Sequence, residues 1–129
     1  MEEEEEEKEY MIEDAEANSD NEEFMLQALK DKAYWVLAYA SDRLHSKKDL
    51  MMKACEKDGQ TLYYASAELR DDKEAVLMAV KNKGIIVKYA SERLKEDKDI
   101  AIEAMKQNKK CYEFLGENIR EDEDIKQLL

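Results

Sequence analysis

The stretch Val87–Leu94, Val-Lys-Tyr-Ala-Ser-Glu-Arg-Leu, decides the fold of this chain because versions of it recur at a constant spacing. Its Tyr89–Ser91 core appears earlier as Tyr39–Ser41 and Tyr64–Ser66, each 25 residues apart. Phe114–Gly116, a divergent copy, keeps the same phase. Self-similarity at a fixed period of this length is typical of repeat architectures.

Apolar positions outside this core keep the same 25-residue phase. An earlier copy around Phe24 matches with a shift of one residue, which indicates an extra residue between Lys30 and Tyr39. The repeat therefore extends over most of the chain. The in-phase apolar sets are Leu44, Leu69, Leu94 and Ile119; Leu50, Ala75, Ile100 and Ile125; and Ala54, Ala79 and Ala104.

Each unit is predicted to contain two short helices. In Lys73–Asn82, apolar residues follow the i, i+3, i+4 spacing of a buried helical stripe. A second helix is expected over Ile85–Ser91, and a charged turn over Glu92–Asp97. Helices this short are marginal in isolation and need packing on their neighbours. We therefore expect an all-α fold, a short α-solenoid of about four 25-residue two-helix repeats.

Local signals suggest how the helices begin and end. Asp71 and Ser46, each followed three residues later by an acid, predict capping boxes. Gly59 and Gly84 follow the first helices of their units, where glycine commonly adopts the left-handed conformation that closes a helix.

Charge divides the chain into two parts. The net charge is −12, and all of it lies in residues 1–23, which have thirteen acidic residues and one basic residue. Residues 24–129 carry no net charge. Such an acidic, low-complexity segment is typical of disorder, although Tyr10–Ile12 suggest a short amphipathic piece that caps the first unit or docks on a partner. The predicted organisation is an acidic disordered tail over 1–19 and a helical repeat domain over 20–129, with units 20–45, 46–70, 71–95 and 96–120 and a partial last helix over 121–129.

The repeated motif, followed by an acidic-basic turn and by Lys81-Asn82-Lys83-Gly84, resembles the helical repeat catalogued as domain of unknown function family 4116. The resemblance covers about residues 22–125 and is strongest from Asp42 to Lys106. It implies tandem helical units, and it implies no particular activity. Members occur in microbes, including some pathogens, so the resemblance allows delivery into a host cell as an alternative to a cytoplasmic location.

Composition disfavours several partners and cofactors. A neutral repeat domain lacks the excess positive charge that neutralises phosphates, so we expect no nucleic-acid partner. No apolar run reaches the roughly 18 residues of a membrane span, and no secretory signal is present. Cys55 and Cys111 lack a C-x-x-C pattern, and His45 is the single histidine, so no metal site or cofactor is predicted. We expect a cytoplasmic protein with structural cysteines.

Three kinds of residue are candidates for a site. One candidate is the tyrosine at the same position of three units, Tyr39, Tyr64 and Tyr89, which suggests a row of rings that face a ligand. In the fourth unit Phe114 takes this position, which favours packing in the core. His45 occupies the polar turn position of the repeat and lacks a positioned nucleophile, so we expect no catalytic residues and no enzyme activity. Tyr34 and Trp35 lie beside the extra residue of the first unit. They are the candidate partner-binding residues, because large aromatic residues are enriched in binding hot spots. The alternative is that Trp35 fills the core at the N-terminal end.

These observations predict a non-enzymatic protein–protein interaction module with an unidentified protein partner. The alternative is an acidic charge-mimicking inhibitor that acts through its N-terminal tail on a basic protein. The oligomeric state stays open at the level of sequence.

Overall fold

The computed structural model describes residues 9–129, and within that range all regular secondary structure is helical. The α-helices are α1 (Ile12–Ala17), α2 (Glu22–Lys30), α3 (Asp42–His45), α4 (Lys48–Lys57), α5 (Ala67–Arg70), α6 (Lys73–Asn82), α7 (Glu92–Lys95), α8 (Lys98–Gln107), α9 (Glu117–Arg120) and α10 (Glu123–Lys126). Between them lie the 3₁₀-helices Tyr34–Tyr39, Gly59–Tyr64, Gly84–Tyr89 and Lys109–Phe114.

The prediction of an all-α repeat solenoid is confirmed. The helices α2, α4, α6 and α8 stack in chain order, and the 3₁₀-helices form a parallel row beside them. Each full unit has three helical segments, where two were predicted. The predicted second helix is a 3₁₀-helix, and the segment predicted as a charged turn contains one turn of α-helix. In α7, Ser91 caps the N-terminus by accepting from the Leu94 amide, and Lys95 lies near the negative C-terminal end.

The N-terminal segment differs from the prediction of disorder over residues 1–19. Residues 12–17 form helix α1, whose Ala15 is fully buried. Tyr10 packs edge-on against Phe24 at a centroid distance of 5.7 Å, and its hydroxyl donates to Asp31. Both contacts cover the start of the first unit, as the predicted apolar cap requires. The acidic run at residues 1–8 lies outside the described residues.

A backbone hydrogen bond joins each unit to the next at the recurring motif. The amide of Ser66 donates to the carbonyl of His45, and the amide of Ser91 donates to the carbonyl of Arg70, each at 2.9 Å. Gly116 makes the equivalent bond to Lys95 at 3.0 Å. These contacts set the register between units, while a continuous core of buried Leu, Ile, Val, Ala and Met side chains stabilises the stack.

Gly59 and Gly84 do not have the predicted left-handed conformation, since none of the glycines has a positive φ. Glycine occupies these positions because the next unit approaches closely. A Cβ at Gly59 would lie 2.6 Å from the carbonyl oxygen of Ala79, and one at Gly84 would lie 3.1 Å from that of Ala104. The spacing between stacked helices therefore selects glycine.

The predicted capping boxes are displaced by one residue. Helix α6 is capped by Asp72, whose carboxylate accepts from the Ala75 amide, and α4 begins after Lys47 without a side-chain cap. Asp71 instead accepts from the Ser91 hydroxyl at 2.5 Å and from Arg93 Nε at 3.0 Å. It therefore bonds to residues about 20 positions later in the chain and does not start a helix.

Lysines at the first turn of α4, α6 and α8 form a charge ladder along one edge. Lys73, for example, contacts the carboxylates of Asp97 at 3.1 Å and Asp99 at 2.7 Å. Exposed ion pairs of this kind each contribute about 1 kcal/mol or less to the free energy of unfolding. The ladder therefore aligns neighbouring units more than it stabilises them. Its other members pair Lys48 with Asp72 and Glu74, and Lys98 with Asp122 and Asp124.

The divergent fourth unit folds like the others because Glu96 compensates for the missing side chain of Gly116. Leu115 occupies the buried position that alanine takes in earlier units, and Gly116 replaces the capping serine. The Glu96 carboxylate enters the space left by the missing side chain. It accepts from the amides of Asn118 and Ile119, at 3.3 and 2.8 Å. A residue distant in sequence thus caps α9.

Candidate partner-binding surface

A shallow apolar groove lies at the N-terminal end of the solenoid. It has a volume of about 430 Å³ and is lined by Tyr10, Met11, Ile12, Glu13 and Trp35. Trp35 is 42% exposed, and Met11 and Ile12 are 55% and 51% exposed. Apolar side chains of this size, exposed side by side, are characteristic of interaction sites.

The fold explains why Trp35 lies at the surface. It belongs to the first turn of the 3₁₀-helix Tyr34–Tyr39, whose inward side is formed by the fully buried Val36 and Leu37. The indole packs edge-on against Tyr39, at a centroid distance of 5.8 Å, which orients the ring. Trp35 is thus oriented by Tyr39 and leaves 42% of its surface exposed to solvent.

The two predicted partner-binding residues have different environments. Trp35 lines the groove, whereas Tyr34 is half-buried and packs against the core. Met11 and Ile12 also line the groove, although they were not named among the candidate partner-binding residues. The sequence left open whether their segment caps the first unit or docks on a partner. The signal was present as two adjacent apolar residues in an otherwise acidic segment.

The tyrosine series forms a half-buried row along the 3₁₀-helices. Tyr39, Tyr64, Tyr89 and Phe114 all pack against the core, as their exchange with phenylalanine predicted. Tyr63, which the sequence did not single out, is 55% exposed and packs edge-on against Tyr64 and Tyr89, at 5.4 and 5.0 Å. At these distances the rings touch each other and leave no space for a ligand between them.

His45 has structural contacts on both sides of its ring. Its Nε2 lies 2.7 Å from the carbonyl oxygen of Leu37, which accepts a hydrogen bond, and the imidazole stacks on Tyr64. Burial raises the pKa of the Cys55 and Cys111 thiols, and both are free and buried. Within residues 9–129, no group of three or more histidine, cysteine, aspartate or glutamate side chains is arranged to hold a metal ion.

The fold and the groove together define a class of protein: a short α-solenoid that presents an apolar surface at its first unit. Its sequence matches the model of the family described as Domain of unknown function (DUF4116), over residues 21–70 and 72–120. The chain belongs to this family, and the two adjacent matches each span two of the 25-residue units. No curated protein and no solved structure matches the chain. None of the helices in residues 9–129 is long and apolar enough to cross a membrane.

Proposed function

We propose that this protein is a non-enzymatic interaction module that binds a protein partner through the groove around Trp35. The observation that carries the proposal is the exposure of Trp35, Met11 and Ile12 in one continuous apolar groove. Tryptophan in such a position contributes strongly to binding, because it buries a large area with few rotatable bonds. An amphipathic segment with two or three apolar anchors fits a groove of this size.

The contacts of the histidine and cysteine side chains support a module that catalyses no reaction. The one histidine donates to a backbone carbonyl and stacks on a tyrosine, and the cysteine thiols are buried with raised pKa values. A nucleophile requires an exposed group beside an activating base, and neither thiol meets that condition.

The proposal is tested by affinity capture from an extract of the source cells, with quantitative mass spectrometry. Full-length protein is compared with Trp35→Ala and Met11→Glu, and with Tyr63→Ala as a control that removes an equally exposed aromatic side chain on the next unit. We expect a partner that the full-length protein and the control retain and that both groove variants lose, by about tenfold or more. Circular dichroism of each variant checks folding.

Two outcomes would count against this proposal. A partner that binds Trp35→Ala and Met11→Glu as well as the full-length protein would exclude the groove. A partner that is lost only when Glu2–Glu7 are changed to glutamine would favour the charge-mimicking alternative, in which the acidic run is the binding element.

A further inference from the structure

Six lysines gather where the third and fourth units meet, at the C-terminal ends of α6 and α8 and on the 3₁₀-helices that follow. We name this surface the lysine edge. All six side chains are exposed, within residues 24–129, whose total charge is zero. The lysine edge consists of Lys81, Lys83, Lys88, Lys106, Lys109 and Lys110.

One glutamine holds the two halves of the lysine edge together. Gln107 Nε2 donates to the carbonyls of Val80 and Lys81, at 2.6 and 3.1 Å, and its Oε1 accepts from the Gly84 amide at 2.8 Å. The end of α8 is therefore fixed against the end of α6. Lysines that are about 25 residues apart in sequence become neighbours on one rigid backbone platform.

Ring contacts extend the positive surface toward the tyrosine row. Lys88 Nζ lies 5.1 Å from the centroid of Tyr89 and 5.9 Å from that of Phe114. A hydrogen bond with Gln60 and the positive charges of Lys88 and Lys83 lower the pKa of Tyr89. Three acids flank this surface, namely Glu113 and the Asp99 and Glu103 that line a pocket with Lys81, so six lysines against three acids leave an excess of three positive charges.

The opposite charge is present in the same chain as six consecutive glutamates, Glu2–Glu7. We propose that the Glu2–Glu7 run of one copy binds the lysine edge of a second copy. Electrostatic complementarity between a run of six glutamates and a positive surface favours such an encounter and sets its salt dependence. The inference concerns a different surface from the Trp35 groove and does not depend on it.

The dimensions of the stack favour a second copy over binding within one chain. Tyr10 is fixed against α2, and α4 lies between α2 and the lysine edge at α6 and α8. Neighbouring helices lie about 8–10 Å apart, so the lysine edge is roughly 16–30 Å away. A fully extended chain covers about 3.5 Å per residue, so the middle of the glutamate run reaches at most about 19 Å from Tyr10. The middle of the run therefore reaches at most the α6 side of its own lysine edge, whereas the run of a second copy can cover the whole edge.

The resulting contact is heterologous, because one end of a copy meets the other end of the next. Such contacts do not close into a symmetric dimer unless the rotation between copies allows a ring. We therefore expect association that grows with protein concentration, and species larger than a dimer at high concentration and low salt.

The test is sedimentation velocity of the full chain at about 20 mM and about 500 mM salt, where the Debye length falls from roughly 20 to 4 Å. The edge variant carries Lys109→Glu and Lys110→Glu. The matched control carries Lys30→Glu and Lys53→Glu, two exposed lysines of the first units, and has the same net charge. We expect self-association at low salt that weakens by about tenfold or more at high salt and in the edge variant, but not in the control.

A mixing experiment identifies the two surfaces. A run variant with Glu4→Lys and Glu5→Lys should not self-associate, and neither should the edge variant, whereas an equimolar mixture of the two should. Trp35→Ala should associate like the full-length protein, which separates this inference from the proposed function. A full-length chain that is monomeric under all these conditions would overturn it. Association that the edge variant retains, or a mixture without association, would overturn it equally.

Discussion

Replacement of Gly59 by alanine tests the idea that the distance between stacked units selects glycine in this repeat. The new Cβ would lie 2.6 Å from the carbonyl oxygen of Ala79, whereas ordinary contacts of this kind begin near 3.4 Å. The backbone must therefore separate by about 0.8 Å. The Gly59 amide donates to Asn82 at 2.7 Å, so a shift also weakens a hydrogen bond between units.

The expected loss of stability follows from two opposing contributions. Overpacking against a backbone atom costs about 1–3 kcal/mol. Alanine lowers the conformational entropy of the unfolded chain relative to glycine, which offsets about 0.4–1 kcal/mol. The net change in the free energy of unfolding for Gly59→Ala is thus a loss of about 1–2 kcal/mol.

Gly84→Ala is the matched control, because it makes the same chemical change one unit later. There the Cβ would lie 3.1 Å from the Ala104 carbonyl, so a shift of a few tenths of an ångström suffices. We expect its free energy of unfolding to stay within about 1 kcal/mol of the unmodified protein.

Urea unfolding provides the measurement. It should be followed by far-UV circular dichroism for the whole stack and by Trp35 fluorescence for the first unit, since repeat proteins do not always unfold in two states. With a slope of about 1–3 kcal/mol per molar urea, the midpoint of Gly59→Ala should fall by roughly 0.3–2 M. If Gly59→Ala is as stable as the unmodified protein, or Gly84→Ala is the more damaged of the two, the close-approach explanation is refuted.

Three further predictions concern single side chains. Gly116→Ser should be neutral or stabilising, because the serine hydroxyl replaces the Glu96 carboxylate as the cap of α9. Gly116→Ala displaces Glu96 without replacing it and should lower the free energy of unfolding by about 1 kcal/mol. Urea unfolding midpoints of the two variants test this. Hydrogen bonds from Ser91 and then from Arg93 lower the pKa of Asp71. Its contribution is therefore present above the unfolded pKa of about 4 and is lost as the pH falls through the lower folded pKa, so Asp71→Asn should flatten the acid side of the stability–pH curve. Cys55, whose thiol pKa is raised by burial, should react with a thiol reagent only after unfolding, and fast labelling of the native protein would contradict its burial.

The periodic residues explain why the fold class was predictable from sequence. Tyr89-Ala90-Ser91 and its copies repeat at a period that admits few architectures, and the stripe in Lys73–Asn82 has the spacing of a single helical face. The bounds of α6 agree with that stripe residue for residue. Burial of one apolar face is a local requirement, so it leaves a direct pattern in the sequence.

Features that depend on contacts between units were predicted less well. Asp71 has the local signature of a helix cap, yet it bonds to Ser91 and Arg93 of the next copy of the motif. The acidic composition around Ile12–Ala17 indicated disorder, yet burial of Ala15 and packing of Tyr10 against Phe24 support a helix there. In each case a partner distant in sequence outweighs the local preference.

The candidate site was predictable only in part. Trp35 was singled out because it interrupts the repeat, but its groove also requires Met11 and Ile12, which α1 brings to the same place. The lysine edge was not recognisable from the neutral charge of residues 24–129, because net charge carries no information on where charges gather. Packing of α6 against α8 and the hydrogen bonds of Gln107 at their ends together make Lys81 and Lys106 neighbours.

The sequence by itself determined the all-helical class, the 25-residue unit and the apolar positions of the core, because helix formation and burial of one face depend on residues close together in the chain. Only the tertiary structure decided why Gly59 is glycine, how Glu96 compensates for Gly116, and which exposed residues share a surface. These features arise where one unit meets the next. They depend on distances between atoms about 20–25 residues apart, which no local pattern encodes.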